Sequence, residues 1–258
     1  MKIHENITPE LKSWIEDQFC FFVATAPTVG THVSVSPKGL SQSVFSVLGP
    51  LSAAYIDYTG SGCETVAHLY DNGRITIMFS SFTKSPKIIR LYCKGTVVEA
   101  DSPKIDDLLN KMGKTAGAGL RAIILLDVFM VTQSCGFGVP IADKESENGM
   151  RERTVLQEMA QKTVKQHGPD ALMKYQKIVN AYSLDGLPGL RVARKRKGEI
   201  IWISELKYSM KKAASQWQFS LFAFGLGLAW GGNGGVVSQF FYLFFIPFIS
   251  LMLLGLRK

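Results

Sequence analysis

The feature that most constrains this chain is a long segment without charge towards its C-terminal end. Between Trp217 and Leu256 there is no Asp, Glu, Lys or Arg. Such a segment cannot remain in water and must be buried in a protein interior or in lipid. Residues 1–216 have the mixed composition of a globular sequence, with enough apolar residues to form a core. The sequence therefore predicts a globular body followed by an apolar tail.

The tail contains a run that matches the thickness of a membrane. Val236 to Leu256 is uncharged, and a helix needs about 20 apolar residues to cross a bilayer. Residues 217–230 form a shorter apolar stretch upstream, and basic residues flank the tail on both sides. We therefore expect a hydrophobic C-terminal helix or helical hairpin that inserts into a membrane. A buried pair of core helices and a mis-predicted gene end are the alternatives.

The charge of the chain indicates which partners to expect. The formal net charge is +8, and basic residues concentrate at 191–197 and 207–212, just before the tail. This position favours an anionic membrane surface over nucleic acid, although a solvated face is an alternative. Residues 1–16 lack the apolar core of a signal peptide. We therefore expect membrane lipid as a partner, no nucleic acid, and a cytosolic N-terminal domain.

The cysteine and histidine residues do not suggest a metal site. The chain has four of each, with no C-x-x-C pair and no H-E-x-x-H motif. His68 and Cys135 could be reactive, but packing roles are more common for such residues. We therefore expect no metal ion, and the sequence identifies no catalytic residue.

The body shows the pattern of a β-rich domain. Apolar and alternating runs predict six strands, at residues 20–26, 31–36, 53–58, 74–80, 88–99 and 122–132. Helices are predicted from Pro9, capped by Thr8; at Cys63 to Tyr70; and at Pro103 to Met112, capped by Ser102. Short connections and an excess of strands favour a mainly β (α+β) fold, an antiparallel barrel with peripheral helices.

The residues between this barrel and the tail read as a helical and basic extension. Residues 141–150 are polar and predict a linker, and two helices are predicted at Arg151 to Gln166 and Pro169 to Tyr182. Arg191 to Ile203 is interpreted as a hairpin that turns at Lys197-Gly198. The predicted domains are therefore 1–140, 141–216 and 217–258.

A glycine-containing loop is the candidate binding motif. Tyr58-Thr59-Gly60-Ser61-Gly62 follows a predicted strand and precedes a predicted helix. Glycines allow backbone N–H groups to point at an anion, and a helix N-terminus favours one. The hydroxyls of Thr59, Ser61 and Thr65 add donors. The loop therefore predicts phosphate binding, although such a turn is often only a turn.

Five segments of the body resemble a known family. They are Val33 to Gly39 (VSVSPKG), Tyr55 to Leu69 (YIDYTGSGCETVAHL), Asn72 to Phe79 (NGRITIMF), Ile89 to Gly95 (IRLYCKG) and Ser134 to Pro140 (SCGFGVP). In order and spacing they resemble the pyridoxamine 5′-phosphate oxidase-like, FMN-binding split-barrel family, closest to a branch that recurs in fungi and bacteria. The similarity covers about half of the chain and implies a six-stranded antiparallel split β-barrel.

The resemblance also implies a cofactor and an assembly. In the family, FMN lies at the interface of a homodimer. Carried over, Ser36, Pro37 and Lys38 would face the flavin ring, Thr59 to Gly62 with Thr65 would hold the phosphate, and Arg90 would lie on a strand that reaches the cofactor. The implied function is a membrane-tethered, FMN-dependent oxidoreductase with an unidentified substrate.

One departure from the family pattern affects the cofactor prediction. Where phosphate-binding relatives have Ser-Arg-Lys, this chain has Glu64-Thr65-Val66. A carboxylate near a phosphate is unfavourable, so either Glu64 points away, for example towards Arg74, or the ligand is not FMN. Arg74, Lys87 and Arg90 could supply compensating charge. The alternative function is a non-catalytic module that binds haem or a deazaflavin, or that serves dimerisation.

Overall fold

The structure is a computed structural model that describes residues 1–184 and 186–211. It separates into two compact units, Met1–Gln161 and Lys162–Lys258. The predicted apolar tail (217–258) lies outside the described residues. Among the residues that are described, no helix is long and apolar enough to cross a membrane.

The first unit is built on one eight-stranded antiparallel sheet. Its strands are β1 (Lys2–His4), β2 (Phe21–Thr25), β3 (Ser34–Lys38), β4 (Phe45–Gly49), β5 (Ser52–Tyr58), β6 (Arg74–Ser80), β7 (Ile88–Glu99) and β8 (Leu120–Ser134). The order is β3-β2-β6-β7-β8-β5-β4, and β1 pairs with the far end of β8. The predicted mainly β (α+β) class is confirmed.

The sheet curls until its two ends approach each other. On a flat sheet β2 and β4 would lie about 24 Å apart, since adjacent strands are separated by about 4.8 Å. The rings of Phe21 on β2 and Phe45 on β4 are 5.2 Å apart, and Phe45 lies 5.0 Å from Phe79 on β6. The ladder itself ends at β3 and β4, which do not pair in the described part of the chain. We call this gap between β3 and β4 the split.

Within residues 1–184 and 186–211, seven helices with defined ends surround the sheet or follow it. They are α1 (Pro9–Glu16), α2 (Ser41–Val44), α3 (Glu64–Asn72), α4 (Ile105–Met112), α5 (Val155–His167), α6 (Ala171–Val179) and α7 (Arg191–Arg196). Residues 201–211 are also helical. As predicted, Thr8 caps α1, since its Oγ1 accepts a hydrogen bond from Leu11 N. The Ser102 cap is wrong by two residues, because a turn precedes α4 and Lys104 takes the cap position.

Two strands of the sheet were not predicted. The sequence indicates six strands, and β1 and β4 bring the number to eight. β1 has three residues, Lys-Ile-His, too few to show a period. β4 directly follows the last residue of α2, with buried residues at three consecutive positions, so neither alternation nor a turn marks it.

Residues 141–203 differ from their prediction in two places. The expected linker contains a short hairpin of β9 (Ile141–Ala142) and β10 (Met150–Arg151). The hairpin predicted at 191–203 is wrong, because this segment begins with α7. Gly198 has φ +89°, and a left-handed glycine follows helix ends as readily as it forms turns. In the second unit, α7 carries the buried Arg194, whose Nε donates to Glu199 Oε2 at 3.0 Å.

A buried arginine fastens the β9–β10 hairpin to the barrel. Arg153 is 6% exposed. Its guanidinium donates to the backbone oxygens of Thr83, Lys84 and Val139 at 2.7, 3.2 and 2.9 Å. Since a buried cation requires hydrogen-bond acceptors, these carbonyls fix the chain after β8 against the loop between β6 and β7.

Candidate functional site

The predicted ring-facing residues lie on β3, at one side of the split. Strand alternation places Ser36 and Lys38 on the inner face, where they pair with core positions of β2, and Pro37 on the outer face. Arg90 shares the outer face with Pro37 but lies three strands away on β7, a distance of about 15 Å at normal strand spacing. Arg90 Nη1 donates to Ser134 Oγ at 3.1 Å.

A buried carboxylate bridges the split. Asp57 lies on β5, and its side chain is completely buried. Its Oδ1 accepts from Lys38 Nζ at 3.2 Å, and its Oδ2 accepts from Arg121 Nε at 2.7 Å. Two cations therefore compensate one carboxylate, as burial of a charge requires. We call Lys38, Asp57 and Arg121 the Asp57 cluster.

A β-bulge directs Arg121 into this cluster. Asp57 pairs with Ala122, but the next residue, Tyr58, pairs with Leu120, so Arg121 is the extra residue of β8. Bulges turn a side chain out of its normal alternation. Arg121 was not among the residues predicted from the sequence. The available signal was a pair of opposite charges, Asp57 and Arg121, within two mainly apolar strands.

The predicted phosphate loop, residues 58–62, is held by the start of β8. Thr59 donates from both its backbone N and its Oγ1 to Gly119 O, at 2.8 and 3.0 Å. Gly117 N donates to Tyr58 Oη at 3.1 Å, and Arg121 Nη1 donates to Gly62 O at 2.7 Å. Gly60 and Ser61 remain exposed between these anchors. The structure thus brings Lys38 and the loop together through Asp57 and Arg121.

Glu64 does not point away from the loop. It is the first residue of α3, and its carboxylate lies against Gly62, so that a Cβ added at Gly62 would collide with it. The suggested pairing with Arg74 is not formed, because Arg74 donates to Asn72 Oδ1 and Pro27 O instead. Thr65 is buried behind the loop. The loop therefore combines donors that suit an anion with one opposing carboxylate.

His68 has a packing role in this structure. It is 6% exposed, and its Nδ1 is hydrogen-bonded to Thr25 Oγ1 at 2.9 Å. Its ring lies 5.5 Å from that of His32. The part of the chain that the structure describes contains no group of three or more His, Cys, Asp or Glu that could hold a metal ion.

Together, the fold and the site define an antiparallel α+β barrel with a charged cluster at its split. No profile of a known protein family matches the chain. The chain is, however, 42% identical over 233 residues to the pyridoxamine 5′-phosphate oxidase family protein ustO of Aspergillus flavus, and the alignment covers 88% of this chain and 91% of that protein. The chain therefore belongs to the pyridoxamine 5′-phosphate oxidase family.

Solved structures resemble the chain only distantly. HupZ from Group A Streptococcus is 20% identical with a TM-score of 0.39, covering 49% of this chain and 93% of that one. A putative pyridoxamine 5′-phosphate oxidase from Lactobacillus delbrueckii is 18% identical with a TM-score of 0.40, covering 51% and 99%. An FMN-binding protein from Syntrophomonas wolfei is 16% identical with a TM-score of 0.36, covering 47% and 82%. At these values the resemblance carries no argument about the site.

Proposed function

We propose that this protein binds FMN at the split and uses it as an oxidoreductase. The observation that carries the proposal is the Asp57 cluster beside loop 58–62, in a chain of the pyridoxamine 5′-phosphate oxidase family. When bound, the flavin would supply the redox chemistry, and the protein would bind, orient and tune it.

The residues around the split fit a phosphate-bearing ligand in two respects. Lys38 and Arg121 provide two cations against one buried carboxylate. Gly60 and Ser61 are exposed in a loop whose ends are fixed, and exposed loop amides can donate to phosphate oxygens. Glu64 opposes such a ligand, so its side chain must rotate away from Gly62 when an anion binds.

The outer face of the sheet is the candidate surface for a second copy of the chain. The outer face of the sheet presents Phe22, Met78, Tyr92 and Met130, all partly exposed, and Val35, which is 61% exposed. We propose that this apolar face forms a homodimer interface. Sedimentation should then show a dimer. Met78→Glu should shift it towards monomer, while Thr96→Glu on the exposed end of β7 should not, and an equal response would contradict this interface.

The tail would attach the protein to a membrane. This part of the proposal rests on the uncharged sequence from Val236 to Leu256. The full chain should sediment with membranes and remain there after washing with high salt and alkaline carbonate. Release by either wash would remove membrane insertion from the proposal.

The decisive test of the cofactor is an absorbance spectrum. The full chain, purified in mild detergent, is incubated with FMN and passed through a gel-filtration column. Flavin bands that travel with the protein support the proposal, and a flat spectrum contradicts it. The carboxylate of Glu64 lies against Gly62 and opposes a phosphate there, which favours a second candidate, a non-catalytic module that binds another ligand. Bands retained after incubation with haem or a deazaflavin, but not FMN, would support that function.

A further inference from the structure

The guanidinium of Arg121 is held in place on two of its three nitrogens. Nε donates to Asp57 Oδ2 at 2.7 Å, and Nη1 donates to Gly62 O at 2.7 Å. Nη2 has no acceptor among the described residues, and the side chain is 24% exposed. Arg121 therefore keeps one terminal nitrogen free for a ligand, in a guanidinium whose orientation is already fixed by Asp57 and the loop.

Asp57 is the residue that fixes this orientation. Its carboxylate is completely buried and contacts Arg121 and Lys38 at the same time. Charge-assisted hydrogen bonds of this kind are short and strong. A guanidinium fixed before binding loses little conformational freedom when a ligand arrives, which increases affinity.

We propose that Arg121, positioned by Asp57, contacts the phosphate of the flavin through Nη2. This inference rests on the proposed function. Arg121 would supply positive charge that the loop lacks, since the loop is followed by Glu64-Thr65-Val66 and not by a basic sequence. Planar guanidinium groups suit phosphate oxygens, and the Gly62 carbonyl fixes the distance between Arg121 and the loop.

The test compares two ligands that differ in the phosphate alone. Dissociation constants for FMN and riboflavin are measured by flavin fluorescence for the full chain and its Arg121→Gln variant. FMN affinity should fall about 10- to 100-fold, since a hydrogen bond to a charged group is lost, and riboflavin affinity should stay constant. Arg74→Gln is the matched control, because Arg74 is exposed and contacts Asn72 and Pro27 instead of loop 58–62.

Two results would overturn the inference. An equal loss of FMN and riboflavin affinity would mean that Arg121 supports the loop without touching phosphate. Unchanged affinity for both would mean that Arg121 is outside the site. If Arg121→Gln does not fold, Arg121→Lys answers the same question: it keeps the charge but loses the planar edge, and FMN affinity alone should fall.

The Asp57→Asn variant tests the role of Asp57, because an electrostatic role and a positioning role predict opposite changes in FMN affinity. Asp57→Asn makes the site more positive, so a purely electrostatic role predicts tighter FMN binding. A positioning role predicts weaker FMN binding with riboflavin affinity unchanged, because the guanidinium loses its charged anchor. Tighter binding would overturn the positioning role.

A failure of the proposed function can be distinguished from a failure of this inference. If the unaltered chain binds neither flavin, the proposed function is wrong. Melting temperatures in inorganic phosphate and in chloride, at equal ionic strength, then test the anion site alone. If phosphate raises the melting temperature and Arg121→Gln abolishes the increase, the anion site stands. If phosphate does not raise the melting temperature, both the proposed function and this inference are overturned.

Discussion

The two ends of the sheet, β3 and β4, are finished in different ways. β4 is covered by helices. Val47 N donates to Glu16 Oε1 of α1 at 2.9 Å, and Ser46 Oγ donates to Met112 O of α4 at 2.9 Å. Alternate residues of β3 remain exposed, and Val35 is 61% exposed. Unpaired strand edges attract other chains unless they are covered.

The difference shows where the fold can accommodate a ligand or a partner. The β4 end is committed to packing within the chain, so its backbone groups and side chains are already occupied. The backbone of β3 pairs with β2 on one side only, and across the split β3 is joined to β5 by side chains, through Lys38 and Asp57. The proposed cofactor site and the proposed dimer face both adjoin this open end.

The largest expected effect concerns the packing that closes the barrel from inside. Phe45 is 1% exposed and contacts Phe21 and Phe79 across the split. Phe45→Ala should lower the free energy of unfolding by about 3–5 kcal/mol, because the lost contacts and the cavity both cost stability. Urea unfolding measures it, with Phe129→Ala, at a side chain 69% exposed, as the control. If Phe45→Ala lowers the free energy of unfolding no more than Phe129→Ala does, the contacts of Phe45 with β2 and β6 do not stabilise the barrel.

The next effect concerns the ion pair across the split. Asp57→Asn should lower the free energy of unfolding by about 2–3 kcal/mol, since the carboxylate is buried between two cations. Asp143→Asn is the comparison, because its partner Arg151 is 54% exposed and such pairs contribute about 0–1 kcal/mol. The same urea titration separates the two variants, and equal losses would argue against a special role for the split.

The residues changed in these two variants make contacts that the sequence could not predict, whereas the local elements around them could be predicted. The runs of β-type residues at β2 and β6 predict these strands, and Thr8 predicts the start of α1. Contacts across the split depend on how far the whole sheet curls, which no local pattern records. Arg121 reaches Asp57 because of a bulge in the pairing of β5 with β8. That register depends on residues far apart in the chain, so the central part of the site could not be predicted.

A smaller effect of opposite sign is expected inside the core. Tyr55 is completely buried, burial raises the pKa of its hydroxyl, and that hydroxyl has no hydrogen-bond partner among the described residues. Tyr55→Phe should raise the free energy of unfolding by about 1 kcal/mol, because an unpaired buried hydroxyl is destabilising. Tyr58→Phe should instead lower it, since Tyr58 Oη accepts from Gly117 N at 3.1 Å. A lower melting temperature for Tyr55→Phe would contradict this prediction, because it would show that the Tyr55 hydroxyl forms a stabilising hydrogen bond.

The smallest effect concerns thiol reactivity and leaves stability unchanged at neutral pH. Burial in the centre of the sheet raises the pKa of Cys93 to about 12, while Cys63, beside the loop, and Cys135 are exposed. At pH 8 a thiol reagent should label Cys63 and Cys135 rapidly and Cys93 only after unfolding, as peptide mapping would show. Rapid labelling of Cys93 in the folded protein would show that the centre of the sheet is accessible to the reagent and would contradict the burial of Cys93.

The same pKa predicts an alkaline dependence of stability. Well below pH 9 the thiol of Cys93 is protonated in both the folded and the unfolded state, so stability does not depend on pH through this group. Between about pH 9 and 12 the unfolded thiol ionises first, and stability should decrease with pH. Cys93→Ala should reduce this decrease, and an unchanged slope would assign it to other groups.

Arg153 determines how short a working version of the barrel can be. A polypeptide that stops at residue 140 would lack this side chain and leave the carbonyls of Thr83, Lys84 and Val139 without their donor. The loop after β6 would then be free to open, and a protease should cut it first. A gene fragment intended for crystallisation should therefore extend beyond Arg153, although the last long strand ends at Ser134.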